Sequence, residues 1–194
     1  MKTLFIDTHL SDIIVILYEN GIVVNKKEVI NKKNNSEYMF PAIVEIIDNQ
    51  KIDEIIVVNG PGSFTGVRLG VTIAKTLAYT LNIPIKTITS LEVAALGSNS
   101  KKIALSDGNG YYIAEFTNEM KPQSDYKYIN NEEYKNISIN TKYTEEYVID
   151  PIAIYNYMHD KKAINAHGVN PIYIKKIGVE LDKKSNNWWH PRNK

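Results

Sequence analysis

The chain contains no cysteine, which excludes disulfides and thiolate metal sites and fits a reducing compartment. No apolar run approaches the ~20 residues that span a bilayer. The opening residues, MKTLFIDTHLSD, lack a signal core, because Asp7 interrupts the apolar stretch early. Net charge is only +1 at pH 7, so no long-range field draws the chain toward nucleic acid or anionic membrane. Any RNA would have to be brought by another molecule. These absences predict a soluble, cytoplasmic protein with no membrane association. Tryptophan is scarce: Trp188 and Trp189 are the only two, both in the tail DKKSNNWWHPRNK. Stacking on single-stranded RNA and docking back onto the protein are the two readings of that tail.

What is present is an ordinary globular composition, 43% apolar and 23% charged over 194 residues, ample for a core in one or two domains. Three of the 13 tyrosines precede residue 100 and ten follow it, while the strongly patterned helices lie before it. This shift predicts an N-terminal lobe over residues 1–100 and a smaller C-terminal lobe over 101–194.

TLFID and DIIVILY read as apolar strands, ENG at 19–21 as a hairpin turn and IVVNKKEVI as a third strand. NSEYMFPAIVEIIDN reads as a helix capped by Asn35 or Ser36, with Phe40, Ile43, Val44 and Ile47 on one face and Pro41 in its first turns. EIIVV follows as a buried strand, then a helix from about 65 to 82, then the strand PIKTIT. SLEVAALGS closes the lobe as a short helix with Ser90 as N-cap and Gly97 as its stop. Residues 103–120, IALSDGNGYYIAEFTNEM, repeat the strand–Asp–turn–strand pattern of residues 4–21, with Asp7 and Asp107 at equivalent strand ends. Two such lobes facing each other describe an α/β, actin-like (ribonuclease-H-like, ASKHA) two-lobed fold. After residue 120 only short elements remain, in SDYKYI, EEYKNI, YVIDPIAIYNYMHD and NPIYIKK, which predicts an abbreviated second lobe.

The glycine loop Gly60-Pro61-Gly62 invites a phosphate-binding reading that its spacing defeats. A Walker loop needs Lys-Ser/Thr after its second glycine, and no lysine comes before Lys75. A dinucleotide fingerprint needs its third glycine one residue before Gly66. Ser63 lacks the flanking glycines of a nucleophile elbow. Anion binding at the helix N-terminus is still possible chemistry. Beyond the loop, Gly66, Gly70, Ala74 and Ala78 recur every fourth residue. They make a stripe of minimal side chains roughly 18 Å long at 1.5 Å per residue. Such a stripe lets another backbone approach closely, either the chain's own sheet or a partner's helix.

The stretch NGPGSFTGVRLGVTIAKTLAYTLNIPI followed by TSLEVAA resembles the TsaB (YeaZ) family of bacterial tRNA threonylcarbamoyladenosine biosynthesis. LFIDT and NSEYMFPAI are similar to the same family, which has HSE where Asn35-Ser36-Glu37 stands. The resemblance covers residues 1 to about 95 and thins beyond, where NPIYIKK is similar to a family motif. It implies a degenerate paralogue of the catalytic subunit TsaD, non-catalytic itself, that pairs with TsaD through first-lobe helices. The ATPase TsaE joins the assembly, which transfers threonylcarbamoyl to the adenosine beside the anticodon of tRNAs reading codons that begin with A. Alone, such a chain forms a homodimer through the same face. ATP and ADP are then handled by the partner subunits, and the chain has no cofactor of its own. The expected partner-binding residues are Pro41 and Val44 of the first helix with Gly66, Val67, Arg68, Gly70, Val71, Ala74, Lys75 and Ala78 of the second.

Two departures support a non-catalytic role. The catalytic paralogue carries His-x-x-x-His on the helix after the PIKTIT strand, and Ser90 and Ala94, which cannot ligate its metal, stand there. This argues against a metallopeptidase. Asp7 and Thr8 are a vestige of the phosphate-facing turn, but His9 replaces the small residue that admits a phosphate, and DGNG at 107–110 lacks the family's arginine. The four histidines, His9, His159, His167 and His190, have no metal-like spacing and read as surface or turn residues. The alternative is an active actin-like, nucleotide-dependent phosphotransferase.

Overall fold

The alternating N-terminal segment folds into an antiparallel meander of β1 (Lys2–Asp7), β2 (Ile13–Glu19) and β3 (Ile22–Val29). In this computed structural model, residues 1–30, 35–98 and 100–175 are described. The hairpin at Asn20-Gly21 has both φ angles positive, 50° and 84°, the pairing a two-residue turn between twisted strands requires. Next come α1 (Asn35–Ile47), β4 (Glu54–Val58), α2 (Phe64–Leu81), β5 (Ile85–Ile88) and α3 (Ser90–Gly97). β4 and β5 run parallel to β1, giving a five-stranded sheet in the order β3-β2-β1-β4-β5. β4 is buried along its whole length: its run from Ile55 to Val58 is apolar, as in a parallel strand covered on both faces, and Glu54 is buried with Lys86 as its partner. The second lobe is a three-stranded antiparallel sheet of β6 (Lys102–Ser106), β7 (Gly110–Glu115) and β8 (Lys127–Asn130), followed by α4 (Asn131–Ser138). The fold is thus the actin-like, two-lobed α/β architecture, with three strands in the second sheet against five in the first.

The face of the first sheet bearing Leu4, Ile6, Val15, Leu17, Ile55 and Val57 is covered by α1 and α2. The opposite face, with Phe5, Ile16, Ile56 and Val58, is covered by Val93 of α3 and by Ile154 and Met158 of α5 (Pro151–His159). The expected boundary at residue 100 is therefore corrected. The stretch from about 147 to 175 returns to the first lobe, where Ile154 and Met158 complete the cover that Val93 of α3 begins on the second apolar face. Buried Lys86 reinforces the docking: its Nζ pairs with Glu54 at 2.7 Å and donates to the carbonyls of Met158 and His159 at the end of α5. Val169 reaches the first core beside α2, and Tyr18 Oη donates to the Pro151 carbonyl at 3.0 Å.

Three local expectations change. α1 carries two apolar arcs, and the sheet takes Met39, Ala42, Ile43 and Ile46, leaving Phe40 and Val44 outside at 53% and 54% exposure. α1 runs from Asn35, the first described residue after Ile30, with Pro41 inside it. The N-cap of α3 is Thr89, not Ser90, with a reciprocal capping box to Glu92. Gly97 ends α3, but its reason is contact: a Cβ there would lie 1.9 Å from the Val148 carbonyl oxygen.

Candidate functional site

The two Asp-bearing turns do face each other across a cleft of about 460 Å³ between the lobes. On the first-lobe side, the turn after β1 is locked rather than open. Asp7 is 2% exposed; its Oδ1 accepts from the His9 backbone N–H and pairs with His9 Nδ1 at 2.7 Å. Its Oδ2 accepts from Tyr147 Oη at 2.6 Å, and the His9 and Tyr147 rings lie 4.2 Å apart. Burial works to raise the Asp7 carboxyl, but the charge of His9 and hydrogen bonds from His9 and Tyr147 outweigh it and hold the group below the usual range. Burial and the same carboxylate push the Tyr147 phenol well up, keeping it a donor. Thr8 Oγ1 donates to the Gly66 carbonyl at 2.7 Å. Asp7 and Thr8 thus spend their polar groups internally, and neither lines the cleft. His9 is a turn residue but a buried one, against expectation, and its Nε2 has no partner. His159 and His167 are exposed, and His190 lies outside the described residues.

The glycine loop packs on this same turn. A Cβ on Gly62 would lie 2.4 Å from the His9 carbonyl oxygen, which accepts from the Ser63 N–H at 2.7 Å. Gly60 has φ +101°, its carbonyl accepts from the Ser90 N–H, and Ser90 Oγ donates to the Pro61 carbonyl at 2.6 Å. Ser90, at a position the resemblance matches to a metal-binding histidine, is a buried strut of the loop. Ser63 caps α2 by accepting from the Gly66 N–H. On the second-lobe side, Asp107 receives Tyr128 Oη at 2.9 Å and Lys175 Nζ at 2.7 Å. Partial burial works to raise its pKa, but these bonds and one from the Asn109 N–H hold it down. Among the described residues, those lining the cleft include no lysine or arginine, and Lys175 at its rim is paired with Asp107.

The small-residue stripe faces inward. A Cβ on Gly66 would lie 2.1 Å from the Thr8 carbonyl oxygen, and one on Gly70 would lie 2.3 Å from Thr8 Oγ1. Gly66, Val67, Gly70, Val71, Ala74 and Ala78 are all buried within the chain's own lobe. They are corrected from partner-facing to core: the helix must sit close because the β1–β2 turn passes beneath it. Arg68 is exposed, its guanidinium 3.8 Å over the Phe64 ring and its Nε donating to Tyr173 Oη at 2.7 Å. Lys75 is half-buried and donates to the Val169 carbonyl at 3.0 Å. Both are engaged by the chain's own C-terminal stretch, which flanks α2 on the β5 side. α1 and α2 touch; on α2 Leu69 and Ile73 are half-buried and Thr72 is exposed, and on α1 Phe40, Pro41 and Val44 are exposed. Phe40, expected on the inward face, is exposed; the equal apolarity of α1's two arcs hid this in the sequence.

A family model described as TsaD, tRNA N6-adenosine threonylcarbamoyltransferase, matches residues 30–112. The chain is 40% identical over 100 residues to the tRNA threonylcarbamoyladenosine biosynthesis protein TsaB of Bacillus subtilis, a match covering 49% of this chain and 44% of that protein. It is 30% identical over 103 residues to the protein of the same name from Escherichia coli, covering 50% and 44%. The matched sequence thus spans less than half the length of these relatives. In fold, the chain is similar to YeaZ from Pseudomonas aeruginosa, with a TM-score of 0.71 and 15% identity over 89% of this chain and 99% of that one. A second Pseudomonas aeruginosa structure, described as similar to peptidase YeaZ, gives a TM-score of 0.74 at 15% identity over 90% and 99%.

Proposed function

We propose that the chain, similar to TsaB in the sequence of its first lobe and to YeaZ in fold, serves tRNA threonylcarbamoyladenosine formation as a non-catalytic subunit that binds TsaD. The observation that carries this reading is the pairing of a closed turn with an open helix face. The Asp7–His9–Tyr147 cluster fills the place where an actin-like protein presents a phosphate-binding turn, so the chain itself performs no group transfer. Phe40 and Val44 meanwhile stand exposed on α1, which touches α2, a short apolar strip on a rigid element. The strip takes TsaD, with TsaE joining the assembly and tRNA reaching it through the complex. A second copy takes the strip when TsaD is absent. Nucleotide belongs to the partner subunits.

Titration of purified TsaD into the chain tests the assignment. Val44→Asp and Phe40→Glu each place a charge in a desolvated contact and should abolish association while leaving the melting temperature within a degree or so of wild type, as exposed sites do. Undiminished TsaD affinity in both variants would refute the face; an isolated chain that modifies tRNA without TsaD would refute the non-catalytic role.

A further inference from the structure

We propose that residues 170–175 form a latch between the two lobes, and that this stretch of polypeptide sets how far the interlobe cleft opens. The proposal is independent of the TsaD reading and starts from how the chain crosses between the lobes. It crosses first from α3 to β6. It returns after Thr144, which bridges Ile103, and brings Tyr147 to Asp7. A third crossing is short. Ile172 is held on the first lobe, its N–H donating to the Asn59 carbonyl at 2.8 Å, while Asn59 Nδ2 donates to the Asn170 carbonyl at 3.2 Å. Three residues later Lys175 is held on the second lobe, its Nζ donating to Asp107 at 2.7 Å and lying 4.6 Å from the centre of the Tyr128 ring.

Three residues span at most ~11 Å of backbone, so a wide opening of the cleft must break a contact at one end of the latch or the other. The first-lobe end is the better seated. Val169 is buried in the first core, and Lys75 donates to its carbonyl at 3.0 Å. Gly60 belongs to the same seat: a Cβ there would lie 3.0 Å from the Ile172 carbonyl oxygen. Tyr173 Oη accepts from Arg68 Nε of α2 at 2.7 Å. The second-lobe end rests on Lys175 and on Ile174, which is half-buried against the cluster containing Leu105 and Tyr112. The Lys175 and Asp107 side chains are 39% and 20% exposed, so water reaches the pair. Exposed ion pairs are weak and buried anchors are not, so the latch releases at Asp107 while staying seated on the first lobe.

The chain has no cysteine, so Thr65→Cys on α2 and Glu132→Cys on α4, exposed positions one in each lobe, take spin labels at those two sites alone. Pulsed electron–electron double resonance on the full chain then reads the distance between the lobes. The parent pair should give one narrow distance population. Lys175→Ala and Asp107→Asn should each add a population at longer distance, with circular dichroism unchanged, and the two together should add no more than either alone. Lys175→Arg should restore the narrow population. If Lys175→Ala melts early, Lys175→Met, which keeps the apolar stem and removes the charge, makes the same test. A narrow population unchanged in the folded Lys175 variant overturns the proposal. So does a broad population in the parent pair, or an effect of Asp107→Asn that adds to that of Lys175→Ala, since the two residues would then act separately.

Discussion

Gly66→Ala separates the inward-facing stripe from an outward-facing one by the sign of its effect. On an open helix surface the change stabilises, since alanine is better than glycine in a helix interior by ~1 kcal/mol. Here the added Cβ would lie 2.1 Å from the Thr8 carbonyl oxygen, where ordinary contact begins at 3.4 Å. The difference, more than an ångström, falls on main chain at both ends, because Thr8 is fixed by its own bond to Gly66 and by neighbouring Asp7. Overpacking of this kind costs about 3 kcal/mol at the upper end of the usual range. Less the helix-propensity gain, a net loss of about 2 kcal/mol lowers the melting temperature by roughly 4–8 °C in a protein of this size. Thermal denaturation followed by circular dichroism, backed by urea titration, gives the number. Gly70→Ala offers an internal control: its Cβ meets Thr8 Oγ1, a side-chain atom, so Thr8→Ala should relieve Gly70→Ala and leave Gly66→Ala unrelieved. A melting temperature unchanged or raised in Gly66→Ala would refute the close-approach reasoning.

Tyr147→Phe removes the donor to Asp7 Oδ2 and leaves a buried carboxylate oxygen unsatisfied, so chemical denaturation should report a loss of ~1–3 kcal/mol. The depressed Asp7 pKa contributes stability that is present above the unfolded value near 3.9 and is lost as pH falls through the lower folded value. The stability gap between wild type and Asp7→Asn should accordingly be constant around neutrality and shrink below about pH 4; a gap that widens on acidification would contradict the sign. A fragment of residues 1–100 should fail to give a dispersed NMR spectrum, because removing α5 strips Ile154 and Met158 from Phe5, Ile16 and Val58. Calorimetry of the isolated chain with Mg-ATP should show no heat of binding at micromolar concentration, and micromolar affinity would revive the phosphotransferase reading.

The first lobe was largely legible in the sequence because its signals are local. Period-two strands, the Asn20-Gly21 turn and the long periodic helix each depend on neighbours in the chain, and each formed where the pattern placed it. The stripe was legible as a close-approach surface but not in direction, since Gly66 and Gly70 suit a sheet turn and a partner helix equally well. What approaches them is Thr8, 58 residues away from Gly66, and no local pattern encodes that contact. The second lobe was harder for the same reason. Its excess of tyrosines was visible, yet their partners are distant carboxylates: Tyr147 meets Asp7 across 140 residues, and Tyr157 meets Glu92 at 2.7 Å across 65. These bonds, with α5, tie the late part of the chain to the first lobe and moved the expected boundary. Trp188 and Trp189 lie outside the described residues.

The most direct measurement is tRNA threonylcarbamoylation reconstituted from purified TsaD and TsaE, a supply of threonylcarbamoyl-adenylate and an A-codon tRNA, with and without this chain. Modification should depend on the chain and be lost with Val44→Asp in proportion to lost TsaD binding. Equal modification without the chain, or full activity from a Val44→Asp variant that no longer binds TsaD, would contradict the proposed role of activating partner.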